Sequence, residues 1–252
     1  MASKQSLIDS ILILADSSLI LAQRLGEWCG HGPVLEQDMA MTNIALDYIG
    51  RSRLLYQYAA QLQGEGKSED DLAFLRDVGE YKNLLLVEQE NGHFGHTVIR
   101  QFFLEAFQFP FYDALQNSQD QTLKEIASKT IKETAYHLKW STEWVIRLGD
   151  GTEESHQKIK TAITDLVPFT GELTQAVSCE KELIDQNIFP DYDEIKRKMD
   201  ALINTAFKQA GLELPTQVYM HQGGKKGLHS ELLGYILSDM QFLQRAYPGL
   251  EW

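Results

Sequence analysis

The chain has 252 residues, 43% of them hydrophobic and 23% charged, the balance of a soluble domain able to bury a full core. Asp and Glu outnumber Lys and Arg 36 to 23, and a net charge of −13 repels phosphate backbones and anionic lipid, so neither nucleic acid nor membrane is an expected partner. Cys29 and Cys179 are too few for a disulfide framework or a thiolate metal site, and a reducing cytoplasm is the expected compartment. The apolar N-terminal run is broken by Asp9 and Asp16 and lacks a small-residue cleavage site, so no signal peptide is expected. No run of about 18 apolar residues is expected to span a bilayer.

Apolar residues recur at helical spacing from the start. A first helix is predicted from about Ser6 to Trp28, with Ile11, Leu14, Leu21 and Leu25 on its stripe; Gly30-His31-Gly32-Pro33 ends it. A second runs from about Leu35 to Gln63, closed by Gly64, and Ser68-Glu69-Asp70-Asp71 reads as a cap opening a short helix. A third is predicted from near Glu80, bent or broken near Gly92, then resuming through Val98, Phe102, Phe103 and Phe107 to a stop at Pro110. A fourth spans about Gln121 to Leu148, with Leu123, Ile126, Thr130, Thr134, His137 and Ser141 nearly in line. Further helices are predicted at about Glu153–Val167, Asp191–Gln209 and His229–Tyr247. Four long helices with short connections and no strand-period segment predict an all-α bundle. One domain is expected, its core bundle at about 6–148 and its additional helices at about 152–252.

Nucleophile elbows, P-loops and dinucleotide fingerprints are absent from the sequence. The remaining chemistry is carboxylates and histidines on helices. Di-iron bundles use a Glu from each of two helices and a Glu-x-x-His pair from each of two others. Two such strings occur. Glu90 to His93, continuing to His96, is interrupted by Gly92 and Gly95 and reads as a solvent bend; Glu153 to His156 opens a helix, where acids suit the helix dipole. Glu27, Glu88 and His137 instead lie on or beside apolar stripes, each on a different long predicted helix.

The strings LAQRLGEWCGHGPVLEQDMAMTNIALDYIGRSR, NLLLVEQENG, IKETAYHLKWSTEWVIRLGDGT and GGKKGLHSELLGYILSDMQFLQRAYPG resemble the C-subunit family of bacterial phenylacetyl-CoA epoxidases, across nearly the whole chain. The resemblance implies a ferritin-like four-helix bundle with additional C-terminal helices. It implies a structural partner of a homologous catalytic A subunit, which holds a di-iron centre and epoxidises the ring of phenylacetyl-CoA. It further implies a reductase with flavin and an iron–sulfur centre that supplies the complex with electrons from NADPH.

The di-iron pattern of such bundles is only partly present. Glu27 and Glu88 stand at the acids of the first and third helices; Tyr48 and Arg51 replace a glutamate and a histidine on the second; Thr134 replaces the glutamate before His137 on the fourth. Glu133, beside Lys132, is expected to face outward. Two ferrous ions would bring four positive charges to two retained acids and an arginine, so this chain is expected to bind no metal or other cofactor and to have no catalytic residue. Arg51 is expected to fork to Glu27 or Glu88, with Tyr48 and His137 completing the hydrogen bonds.

The loop Gly223-Gly224-Lys225-Lys226-Gly227 is a basic patch on an acidic chain and reads as a contact for coenzyme A phosphates, as a contact for a partner's acids, or as a mobile surface loop. Phe102, Phe103, Phe107, Phe109, Phe111 and Tyr112 are more aromatic surface than one bundle core is expected to need and are expected to leave apolar surface for a partner subunit, with core packing the default for any one of them. A self-contained di-iron oxygenase or oxidase using Glu27, Glu88, Glu133, His137 and a further unassigned acid, and a helical acyl-CoA-binding module, stay open as alternatives.

Overall fold

In the computed structural model, which describes residues 3–64 and 66–249, the described residues form ten α-helices and three short 3-10 helices, with no strand. They fall into two compact units: Met1–Gln89 together with Gly223–Trp252, and Glu90–Gln222.

The first unit is built on an antiparallel pair, α1 (Lys4–Gly26) and α2 (Leu35–Gln63), joined by the short Glu27–Val34 connection. Ser3 caps α1 by accepting from the Ser6 backbone N–H at 3.0 Å. Ser17 and Ser18 inside it donate to the carbonyls of Ile13 and Leu14, so the helix buries two hydroxyls without orphaning them. α1 corrects one expectation, since by length and composition it could cross a membrane. Yet 83% of its apolar window is buried within the protein, where it serves as a core helix. α3 (Glu69–Phe74) opens on the expected capping box of Ser68 and Asp71.

The predicted third helix does not exist as one element. Residues 81–84 are extended and α4 (Leu85–Glu88) is a single turn, because Leu84–Val87 is apolar without a period and is buried on every side. The chain breaks at Gln89–His93, where Gly92 takes φ 53. α10 (Glu231–Ala246) completes this unit against α1, α3 and the 3-10 turn Val78–Glu80.

The second unit pairs α5 (Phe94–Leu115) with α6 (Gln121–Gly149), and packs α7 (Glu153–Leu166) and α9 (Tyr192–Ala210) against both. α5 runs through Pro110 to Leu115, overriding the expected stop. Proline inside a helix costs about 3 kcal/mol, but burying Phe111, Tyr112 and Leu115 beyond it returns about 1.5–3 kcal/mol each. α8 (Ser178–Ile184) has no apolar stripe long enough to read from the sequence.

The aromatic run of α5 is core, not spare surface. Phe102 and Phe103 lie 5.9 and 6.1 Å from the ring of Phe207, Phe107 lies 6.1 Å from Tyr192, and Phe111 lies 5.5 Å from Phe189. Phe109 alone of the set is half-buried. The sequence reading missed that α9 and the segment before it carry matching rings.

Candidate functional site

In the first unit, Glu27 lies just past α1, its side chain 47% exposed and its carboxylate 2.9 Å from Arg24 Nη1. It is a rim residue, not the inward acid expected from its place beside Leu25. Arg24 reaches the other way too, donating from Nε and Nη2 to the Glu88 carbonyl at 3.0 and 2.7 Å.

Glu88 is fully buried at the end of α4 and is surrounded by donors. Asn83 Nδ2 reaches Oε1 at 2.8 Å and His229 Nδ1 reaches the same oxygen at 2.6 Å. The Ser230 backbone N–H and hydroxyl reach Oε2 at 2.9 and 2.6 Å. Arg51 is not among these partners; its guanidinium carbon sits 4.4 Å over the ring of Tyr48, with both residues buried. The expected fork from Arg51 to Glu88 is thus replaced by a clamp from the segment leading into α10. Burial works against a charged His229, but the Glu88 carboxylate on one ring nitrogen and the Tyr81 carbonyl on the other, 2.8 Å away, outweigh it and raise its pKa.

A second buried acid organises the same unit. Asp16 accepts from Tyr56 Oη at 2.6 Å, from the Lys82 backbone N–H at 2.8 Å, and from both terminal nitrogens of Arg76. Burial, then the charge of Asp16, pushes the Tyr56 phenol above its ordinary pKa; the pull of Asp16 overcomes the burial of Arg76 and raises its pKa as well. Gln241 of α10 donates to the Arg76 carbonyl at 3.0 Å, tying the last helix to this node.

The glycine-lysine loop belongs to that tie. Lys225 is only 4% exposed while Lys226 is exposed, so the two lysines do not form one patch. Gly227 takes φ 80, and a Cβ there would lie 2.4 Å from the Gly79 carbonyl oxygen. The glycines bring the chain close to the 3-10 turn and aim His229 and Ser230 at Glu88.

In the second unit, the carboxylate that meets His137 is Glu105 on α5, 3.2 Å from Nδ1, with both side chains fully buried. Gln101 Nε2 donates to the same Glu105 oxygen at 2.6 Å. The acid of the third long helix is therefore Glu105, and Glu88, on its separate single turn, does not fill that role. A lone acid inside Gln-Phe-Phe-Leu-Glu-Ala-Phe was the signal for it, since an unpaired charge in so apolar a stretch cannot be buried. Thr134, one turn before His137, donates to the carbonyls of Thr130 and Ile131 at 3.2 and 3.1 Å in its own helix. Glu133 is half-buried, not outward-facing.

The two Glu-x-x-His strings resolve as local structure. His93 caps α5, its ring 4.3 Å from that of His96, which pairs with Asp165 at 2.8 Å. Burial, then the charges of His96 and Lys158, lowers the pKa of His93. Glu153 accepts from Gln157 at 2.9 Å, and His156 Nδ1 lies 2.6 Å from the Gly149 carbonyl.

These donor sets do not suit a di-iron pair. Glu88 is saturated, Thr134 is turned back on its helix, His137 spends a ring nitrogen on Glu105, and Glu27 reaches solvent. Among the described residues, no group of three or more His, Cys, Asp or Glu side chains is placed to hold a metal ion. The buried acids accept hydrogen bonds from fixed donors; they are not arranged to assemble a metal bridge.

A family model described as phenylacetic acid catabolic protein matches residues 1–252. The chain is 46% identical over 241 residues to the C subunit of the 1,2-phenylacetyl-CoA epoxidase of Escherichia coli (strain K12), covering 96% of this chain and 97% of that one. A solved structure from Synechococcus, described as protein 19 with aldehyde deformylating oxidase activity, superposes with a TM-score of 0.53 at 14% identity, over 93% of this chain and 96% of that one. The last likeness is one of fold alone, an all-α arrangement of helices.

Proposed function

We propose, from the premise that this chain belongs to the phenylacetic acid catabolic protein family, that it is the C subunit of a 1,2-phenylacetyl-CoA epoxidase. In this reading it is a non-catalytic component in phenylacetate catabolism that stabilises a homologous di-iron A subunit. The iron belongs to that subunit, and NADPH, flavin and iron–sulfur chemistry to a reductase. A coenzyme A thioester substrate suits a cytoplasmic assembly.

One observation supports the non-catalytic part above the rest. His137, the inner histidine retained from the di-iron pattern, is engaged by Glu105 at 3.2 Å, and Gln101 donates to that same carboxylate. The amide and the imidazole both fall on Oε1, so that oxygen has no lone pair left for a metal. The contribution of the Gly223–Gly227 loop to coenzyme A binding reduces in this reading to Lys226, because Lys225 is buried.

The test is iron content and epoxidase activity of the purified chain, alone and reconstituted with the A subunit and reductase. The reading expects iron far below one ion per chain, no activity alone, and full activity only with the A subunit. About two iron ions per chain, as a carboxylate-bridged centre holds, together with turnover by the chain alone, would overturn it.

A further inference from the structure

Large hydrophobic side chains that reach solvent are unevenly spread. Among the described residues, Tyr136, Leu214 and Tyr219 are those of the second unit; the others lie on the first. Five of these, Val34, Leu35, Met39, Leu46 and Ile49, fall at the start and along one face of α2.

Their spacing is regular. Positions 35, 39, 42, 46, 49 and 53 alternate steps of four and three, the repeat that keeps one seam of a helix facing a partner helix. Leu35 is 72% exposed, Met39 57%, Leu46 58% and Ile49 43%, while Met41, Ile44, Tyr48 and Leu55 fill the opposite, buried face. The seam is about 27 Å long at 1.5 Å per residue. Beside it stands Gly50, small enough for close approach, where a Cβ would meet nothing within 4 Å.

We infer that this face of α2 is the docking seam for one helix of the partner subunit, and that this helix carries apolar residues at heptad spacing flanked by Lys or Arg. The inference rests on the C-subunit reading above. The charges beside the seam select the occupant. They are Glu36 and Asp38, both in the first turn of α2, while Arg53 at its far end is already held by Glu69 at 2.7 Å. A second copy of this chain would bring another net charge of −13 and another acidic rim to the seam. A helix with basic flanks instead complements Glu36 and Asp38 and leaves the apolar residues to be covered. A single helix seam is smaller than the roughly 800 Å² per partner of a stable interface, so α2 is the centre of a wider contact, where binding energy concentrates.

The test pairs the chain with the A subunit in sedimentation velocity and titration calorimetry. Leu46→Lys with Ile49→Lys, both exposed positions, should keep the thermal midpoint of the free chain and weaken the complex by about a hundredfold or more. Tyr235→Lys with Phe242→Lys on the exposed face of α10 should bind within about threefold of the parent. Glu36→Lys should weaken binding at low salt and much less at high salt. The milder Met39→Ala with Leu46→Ala reads the same seam without introducing charge. If the parent complex forms and the seam variants bind equally well, the seam is overturned while the C-subunit reading stands. If the seam variants instead abolish self-association of this chain, the occupant is a second copy and the proposed partner is wrong. If the parent chain forms no complex with the A subunit at all, the C-subunit reading falls, and the seam's partner with it.

Discussion

His229 and Glu88 meet across 141 positions of sequence at 2.6 Å, and they fasten the segment entering α10 to the single turn α4. The ring has an acceptor on each nitrogen, the Glu88 carboxylate on one and the Tyr81 carbonyl on the other. Three further donors, from Asn83 and Ser230, fill the remaining acceptor positions of that carboxylate. With an acceptor on each side the protonated ring is the favoured form, and below its raised pKa the clamp is an imidazolium–carboxylate pair.

The folded pKa of His229 is raised above the ordinary 6.5. Stability from the clamp is thus fully present below about pH 6.5 and is lost as pH rises through the folded pKa. Burial holds the Tyr56 and Tyr81 phenols above their ordinary range, so they stay protonated through that window. Urea unfolding should give a lower midpoint at about pH 9 than at about pH 6, and His229→Gln should flatten the difference. An unchanged pH dependence in His229→Gln would place its origin elsewhere.

Asp16 and Arg76 form the other fastening of the same unit, the acid fully buried and the guanidinium nearly so. Removing one member strands a buried charge, whereas an exposed pair such as Lys158–Glu154 at 2.6 Å is worth little. Arg76→Ala should cost about 3–5 kcal/mol in equilibrium unfolding, and Lys158→Ala under about 1 kcal/mol. A small loss for Arg76→Ala would mean that Tyr56 and the Lys82 backbone suffice to hold the carboxylate.

How far the sequence disclosed this structure depended on whether the deciding interaction was local. α2 was legible to the residue because Pro33 precedes it and Gly64, at φ 72, ends it; the Ser68–Asp71 box was equally local. α4 was not, since Leu84–Val87 carries no period and its shape is set by burial. Pro110 misled because the packing that overrides it comes from Phe189 and Tyr192, some 80 positions on. The site divided the same way. His137 was recognisable as an inward residue from its own helix, but its partner Glu105 lies 32 positions earlier, on a helix whose extent had been misread. The buried state of Lys225 left no mark in Gly-Gly-Lys-Lys-Gly at all.

The Glu105–His137 pair should behave as a coupled unit. Glu105→Leu leaves the His137 Nδ1–H and the Gln101 amide facing an apolar side chain, and His137→Leu leaves the carboxylate short of a donor. Each single change should cost about 2–4 kcal/mol, and the double variant less than the two added together. A double-mutant cycle in urea measures the coupling; strict additivity would show that the two side chains stabilise the protein independently.

Gly227 separates two reasons for needing glycine. Gly211 also has a left-handed backbone, φ 65, but a Cβ there would meet nothing within 4 Å, so Gly211→Ala carries only the backbone penalty, about 1–2 kcal/mol. At Gly227 the same penalty adds to a Cβ placed 2.4 Å from the Gly79 carbonyl oxygen, a contact that requires the backbone to move. That movement pulls His229 off Glu88, because only one residue lies between Gly227 and the clamp. Gly227→Ala should therefore destabilise the chain by clearly more than Gly211→Ala. It should also abolish the pH dependence assigned to His229, in a matched pair of urea titrations at about pH 6 and about pH 9. Equal losses in the two alanine variants, with the pH dependence intact, would show that the loop absorbs the added methyl and that the clamp is not built on its close approach to the 3-10 turn.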